Sequence, residues 1–170
     1  AEGNPVLECM CGEIIRGQTQ HSRPFFTPAG SFWTTCLSKL IESEYGGELK
    51  TLFRSPFISS GYESVAIVPL RCDREVIGVL QLNDSRDNIF CAEAVRFFEM
   101  IAAILGIFFV RVLQAEQALS QVVEERVGVL APVNEGCRLI FFIHLELDRM
   151  EVVVRETCRG RELDARAHRV

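Results

Sequence analysis

Two apolar runs separated by a few polar residues constrain the fold more than any other feature of the chain. Glu63-Ser-Val-Ala-Ile-Val-Pro-Leu-Arg71 is rich in β-branched residues, Cys72-Asp-Arg-Glu75 is polar, and Val76-Ile-Gly-Val-Leu-Gln-Leu-Asn-Asp84 is apolar again. Runs of this length around a short polar connection predict an antiparallel hairpin. Both runs are apolar at nearly every position, not at every second one, so both faces of the pair need cover. Central strands of a sheet flanked by helices meet that need. Pro69 cannot donate a ladder hydrogen bond and marks a bulge or a place where pairing is one-sided.

A long helix follows, from about Ala92 to Arg126. Phe98, Ala102, Leu105, Phe109, Val112, Glu116, Leu119 and Val123 alternate at spacings of four and three, the pattern of a heptad seam. Ile101, Ile104 and Phe108 form an adjoining stripe. Beyond Gln114 the helix is polar outside the seam, so it is expected to leave the domain and pair with a second helix. A homodimer through Phe98, Leu105, Phe109, Val112 and Leu119 is the corresponding partner expectation. The run from Met100 to Val110 is the most apolar in the chain, and its 11 residues fall short of the ~20 a bilayer span needs. It reads as a buried helix, with no membrane insertion expected.

Shorter elements surround these. Cys9–Arg16 reads as a short helix stopped by Gly17. Thr27-Pro-Ala-Gly30 is a turn, and Ser31–Thr34 a short extended segment. Thr35–Glu44 carries Leu37, Leu40 and Ile41 at helical spacing and is expected to end near Gly46-Gly47, with a second short helix at Leu49–Phe53. In the tail, Arg138–Leu147 and Met150–Arg155 flank Asp148-Arg149 as a second candidate hairpin. Residues 158–170 are charged and expected to be disordered.

The net charge of −5 argues against a nucleic-acid partner, because phosphate binding favours a basic face. No charged segment followed by an apolar run opens the chain, and the seven cysteines are an odd number. A cytoplasmic protein with reduced thiols is the expectation from these two features.

Several motifs in one order then become informative. Asn4-Pro-Val-Leu-Glu-Cys-Met-Cys-Gly12, Pro24-Phe-Phe-Thr27, Gly30-Ser-Phe-Trp-Thr34, Gly61-Tyr-Glu-Ser-Val-Ala66, Ile77-Gly78 and Leu80-Gln-Leu-Asn-Asp84 resemble GAF domains of bacterial multidomain sensor histidine kinases, which occur beside PAS domains. The similarity covers about residues 3–115. It implies an α+β fold (an α/β sandwich) with a central antiparallel sheet flanked by helices and a long C-terminal signalling helix. It also implies a small-molecule pocket between the sheet and the short helices of one face, and a role in two-component signal transduction. By this resemblance, 1–113 is the domain, 114–126 a coiled-coil-like extension, and 127–170 a tail with a possible hairpin over 138–155.

The chain also departs from that family. The first helix and first two strands of a complete domain have no counterpart ahead of Asn4, as in a truncated or rearranged gene product, and Phe57 stands where a cysteine is expected. The tail hairpin is therefore expected to dock on the sheet edge left open, since an uncovered edge invites aggregation.

By residue type, Phe26, Ser31, Trp33, Thr34, Tyr62 and Ser64 are the candidates to line a site for an unknown small-molecule ligand. Aromatic walls with a few polar groups suit such a pocket, although an ordinary core is the simpler reading of the aromatics. Cys9 and Cys11 form a Cys-x-Cys pair; a closed zinc site needs four ligands, and only His21 and Cys36 suggest themselves as additions. Two half-buried thiols on a short helix are the simpler reading, so no metal and no cofactor is expected. His21, His144 and His168 have no partner at catalytic spacing, and a Gly-rich phosphate loop is absent. The chain is thus expected to sense and not to catalyse. A structural dimerisation module is the alternative, and the similarity of some GAF domains to cysteine-based methionine sulfoxide reductases leaves Cys9 and Cys11 as a third.

Overall fold

The structure, a computed structural model, describes residues 9–53, 58–127, 140–146, 151–158, 161–162 and 168–169. The segment opening at Asn4, Phe57 and most of the connector after residue 127 lie outside the described residues.

The hairpin forms as its pattern dictates. Strand β2 (Ser64–Cys72) pairs antiparallel with β3 (Glu75–Asp84), and Asp73 turns the chain in a left-handed conformation at φ 53°. Asp tolerates that region because its short polar side chain bonds locally. The register shifts between Leu70 and Arg71, beside Pro69. Strand β1 (Phe32–Thr34) pairs antiparallel with β2 only as far as Ile67, so Pro69 lies past the end of that ladder.

Side chains alternate across this sheet. Phe32, Val65, Ile67 and Val79 point to a cluster with Met10, Ile14, Leu37, Leu49, Phe53 and Tyr62. That face is covered by α1 (Met10–Ile15), α2 (Leu37–Glu42) and α3 (Gly46–Leu52). Ala66, Val68, Leu70, Leu80 and Leu82 point the other way, against α4 (Ala92–Val127), which supplies Val95, Phe98, Ala102, Leu105 and Phe109. The near-continuous apolar runs are explained by this two-sided burial.

One boundary and one burial pattern differ from expectation. Gly46-Gly47 opens α3 and does not end α2: the Ser43 amide bonds Leu40 O to close α2, and a Cβ on Gly46 would lie 1.8 Å from Ile41 O. Only glycine admits so close a return of the chain. The second difference concerns α4. The run Met100–Val110 is not a buried helix, because a helix lying on a sheet buries one stripe only. Ala102 and Gly106 face the sheet, while Phe97, Met100, Ile104, Ile107 and Phe108 are exposed. Taken over Ala92–Leu119, α4 is also long and apolar enough to cross a bilayer by length and composition alone.

Beyond β3 the sheet continues. Strand β4 (Ile140–Glu146) lies parallel to β3, with Gly78 opposite Phe141 and Asn83 opposite Glu146. Strand β5 (Glu151–Cys158) returns antiparallel to β4. The tail pair thus sits on the outer edge of β3, and Ile143 joins the cluster beneath α4. The parallel β3–β4 pairing departs from an all-antiparallel sheet. Two short strands, β6 (Arg161–Glu162) and β7 (His168–Arg169), pair with β5 within the charged end that was expected to be disordered. Backbone ladders need no apolar side chains, so composition does not forbid them.

Candidate functional site

The face under the short helices carries the polar groups of interest. Cys9 caps α1: its Sγ accepts from the Gly12 amide at 3.4 Å, and its carbonyl from the Glu13 amide at 3.0 Å. Met10 and Ile14 anchor the helix in the core. That anchoring turns Cys11 toward β3, where its thiol donates to Gln81 Oε1 at 3.3 Å. Gln81 Nε2 in turn donates to Asn83 Oδ1 at 3.2 Å, and Asn83 is fully buried. The hydrogen bond with Cys9, and then burial, hold the Cys11 thiol well above its ordinary range, so it stays protonated near neutrality. A thiol pair and two amides thus line one end of an otherwise apolar face.

Aromatic rings fill the other end. Phe25 meets Phe26, Phe32 and Tyr45 at centroid distances of 5.3, 5.6 and 5.4 Å, and Phe32 meets Phe53 at 5.2 Å. The Arg23 guanidinium lies 5.1 Å from the Tyr45 ring centre and pairs with Glu48 at 2.9 Å. Contacts in this range are ordinary tilted and edge packing.

The six residues expected to bind a ligand are not gathered into one place. Phe26 and Tyr62 belong to the face of α1–α3, whereas Trp33 packs toward α4. Ser31 is buried and donates to Glu99 Oε1 on α4 at 2.7 Å. Thr34 Oγ1 accepts from the Cys36 amide at 3.2 Å. The Ser64 hydroxyl lies 2.8 Å from Arg86 O and 3.2 Å from Thr35 O and accepts from the Ile89 amide at 3.1 Å, tying the β3–α4 loop to β2. The hydroxyls of Ser31 and Ser64 and the oxygen of Thr34 are engaged within the fold.

Gln81 and Asn83 were not among the residues expected to bind a ligand. Polar side chains two apart in an apolar strand fall on one face, and that period-two interruption is the signal that finds them. The proposed metal additions do not converge either. His21 Nδ1 lies at Thr27 O, 3.2 Å away, and Cys36 donates to Glu63 Oε2 at 3.3 Å. Among the described residues no group of three or more metal-ligating side chains exists.

The expected dimer residues also divide. Phe98, Leu105 and Phe109 are half-buried against the sheet, while Val112 and Leu119 are exposed.

A two-faced sheet with short helices on one side and a long helix on the other agrees with the comparison to known families, in which the model of the GAF domain matches residues 12–108. The chain belongs to the GAF domain family. No curated protein and no solved structure matches it. The GAF match begins at Gly12, one residue past Cys11, takes in the rest of α1, Gln81, Asn83 and the part of α4 that carries Glu99, and ends at Phe108 within that helix. As a GAF domain, the chain is a sensory or regulatory module.

Proposed function

We propose that this GAF domain binds a small molecule on the α1–α3 face and passes the effect to an output domain through α4, in a cytoplasmic bacterial two-component signalling protein of the histidine kinase kind. The observation that carries this is the group of Cys11, Gln81 and Asn83, set together at one end of an apolar face whose other end is filled by aromatic rings. A few placed polar groups among apolar walls are what small-molecule sites use. Relay requires a ligand with different affinity for two arrangements of α4. A thermal-shift screen of nucleotides and small metabolites tests it: a binder raises the melting temperature of the parent, and Gln81→Leu removes that rise. A broad library without effect on well-folded protein overturns it.

A homodimer through α4 completes the proposal. The exposed stripe of Phe97, Met100, Ile104 and Phe108 supports it, with Val112 and Leu119 continuing along the helix. The same stripe favours the alternative, a dimerisation module that binds no ligand. Ile104→Lys with Phe108→Lys converts a dimer to a monomer in sedimentation under either proposal; only the first also predicts a ligand-dependent melting shift.

A further inference from the structure

We propose that Cys9 and Cys11 form a reversible, hydroperoxide-sensitive dithiol switch that sets how α1 sits against β3. This goes beyond ligand binding, and its test needs no ligand.

Cys9 and Cys11 flank Met10 at the N-terminus of α1, each sulfur bonded elsewhere in the reduced state, and both residues are partly exposed to solvent. Met10 between them is helical, which sets the two Cα atoms about 5.5 Å apart, inside the reach of a disulfide. Met10 between them is held in the core, so closure needs rotation of the two side chains and little movement of the helix. Cys36, by contrast, is engaged with Ser38 and Glu63, away from any second thiol the structure shows.

The chemistry balances with a hydroperoxide as oxidant. The Cys9 sulfur attacks a peroxide oxygen, the O–O bond breaks, and water leaves with the thiol proton, giving a sulfenic acid. The Cys11 sulfur then attacks that sulfur, the S–O bond breaks, and the departing hydroxide takes the Cys11 proton as a second water. Two thiols lose two electrons and the peroxide gains them. Each attack runs through a thiolate, and the proton that Cys11 keeps near neutrality places it in the second step, where the sulfenic acid is already tethered beside it. A disulfide that closes a one-residue loop is strained, and strained disulfides are readily reduced by external thiols. That makes the pair a switch and not a staple.

Closure has a structural consequence. Both sulfurs are in use in the reduced state, Cys9 as acceptor for the Gly12 amide and Cys11 as donor to Gln81. The disulfide removes the Cys11 proton and redirects both sulfurs. Gln81 then loses its contact to α1, and α1 loses its cap.

Treatment of the full chain with stoichiometric hydrogen peroxide tests this. The tryptic peptide Ala1–Arg16 contains Cys9 and Cys11 and no other cysteine. We expect it to lose two hydrogen atoms in mass, to escape alkylation, and to recover on adding dithiothreitol. Hydrogen exchange at the Gly12 amide should quicken at least tenfold in the oxidised protein. Cys11→Ser should stop at the sulfenic or sulfinic acid of Cys9. Oxidation of Met10 or of other cysteines while both thiols remain alkylatable overturns the proposal. So does a disulfide that leaves exchange at Gly12 and at β3 unchanged.

Discussion

Ser31 and Glu99 join the two sides of the domain around the edge of its sheet. The Ser31 hydroxyl, fully buried, donates to Glu99 Oε1 at 2.7 Å, and Thr27 Oγ1 donates to the same oxygen at 2.6 Å. The Thr27–Ser31 turn is closed on itself by Thr27 N to Ser31 O and by Gly30 N to Thr27 O, both at 2.9 Å. Phe26 and Phe32, on either side of that turn, belong to the opposite core. Hydrogen bonds to a charged group contribute about 1.5–3 kcal/mol each, and a buried hydroxyl left unpaired costs about 1–3 kcal/mol. Glu99→Ala is therefore expected to destabilise by ~2–4 kcal/mol, and Ser31→Ala by less, because Thr27 still serves the carboxylate. Urea denaturation of the two single variants and the double variant measures the coupling, and strict additivity would show that the contact contributes nothing specific.

Two glycines in helices should respond oppositely to alanine. A Cβ on Gly106 would meet Arg71 O at 2.1 Å, backbone against backbone, whereas a Cβ on Gly47 meets nothing within 4 Å. Gly106→Ala should force α4 off β2 and cost ~3 kcal/mol or more. Gly47→Ala should stabilise by about 0.4–1 kcal/mol through the unfolded chain. Thermal melts of both variants decide; a neutral Gly106→Ala would mean that α4 crosses β2 elsewhere.

Lysine scanning along α4 separates its two stripes. Ile104 is 67% exposed, and its neighbour Leu105 packs under the helix with Leu80 and Leu82 in reach of the same cluster. Ile104→Lys should leave a folded protein with weakened self-association. Leu105→Lys places a charge in the core and should unfold it or lower its melting temperature by more than about 10 °C. Circular dichroism with sedimentation reads both. Equal effects at the two positions would contradict the orientation of α4.

Acid should weaken the β3–α4 loop first. Asp84 is held below the usual carboxylate range chiefly by the Arg86 side-chain hydrogen bonds, at 2.9 Å to Oδ1 and 2.7 Å to Oδ2, against an opposing effect of burial. Glu63 is also lowered: burial pushes it up, but the Ser38 amide and hydroxyl and the Cys36 thiol outweigh that. A carboxylate whose folded pKa is depressed contributes stability that is present above its unfolded pKa and lost as pH falls through the folded one. Stability should therefore fall below about pH 4, and Asp84→Asn should flatten that limb. Urea midpoints across the acid range, parent against variant, test the sign.

The hairpin of β2 and β3 and the extent of α4 were legible because their signals are local: unbroken β-branched runs around a polar turn, and apolar spacing over many turns. Three short helices were legible, less so in their ends, where Gly46 turned out to open a helix. The thiol–amide group was half legible. Cys9 and Cys11 announce themselves, but Gln81 meets Cys11 across a separation of 70 residues, which no local pattern carries. The parallel seating of β4 on β3 is of the same kind, since a strand's own residues do not name its neighbour.

What the sequence determined by itself is therefore the set of elements and the need to bury both faces of β2 and β3. What only the tertiary structure decided is which groups meet. The clearest case is α4. Phe97 and Phe98, Ile104 and Leu105, Phe108 and Phe109 are adjacent pairs of nearly equal hydrophobicity, so periodicity alone ranks neither stripe above the other. The sheet makes the choice: Gly106 permits contact with the Arg71 backbone, and that approach turns Phe98, Leu105 and Phe109 inward and leaves Phe97, Ile104 and Phe108 outside.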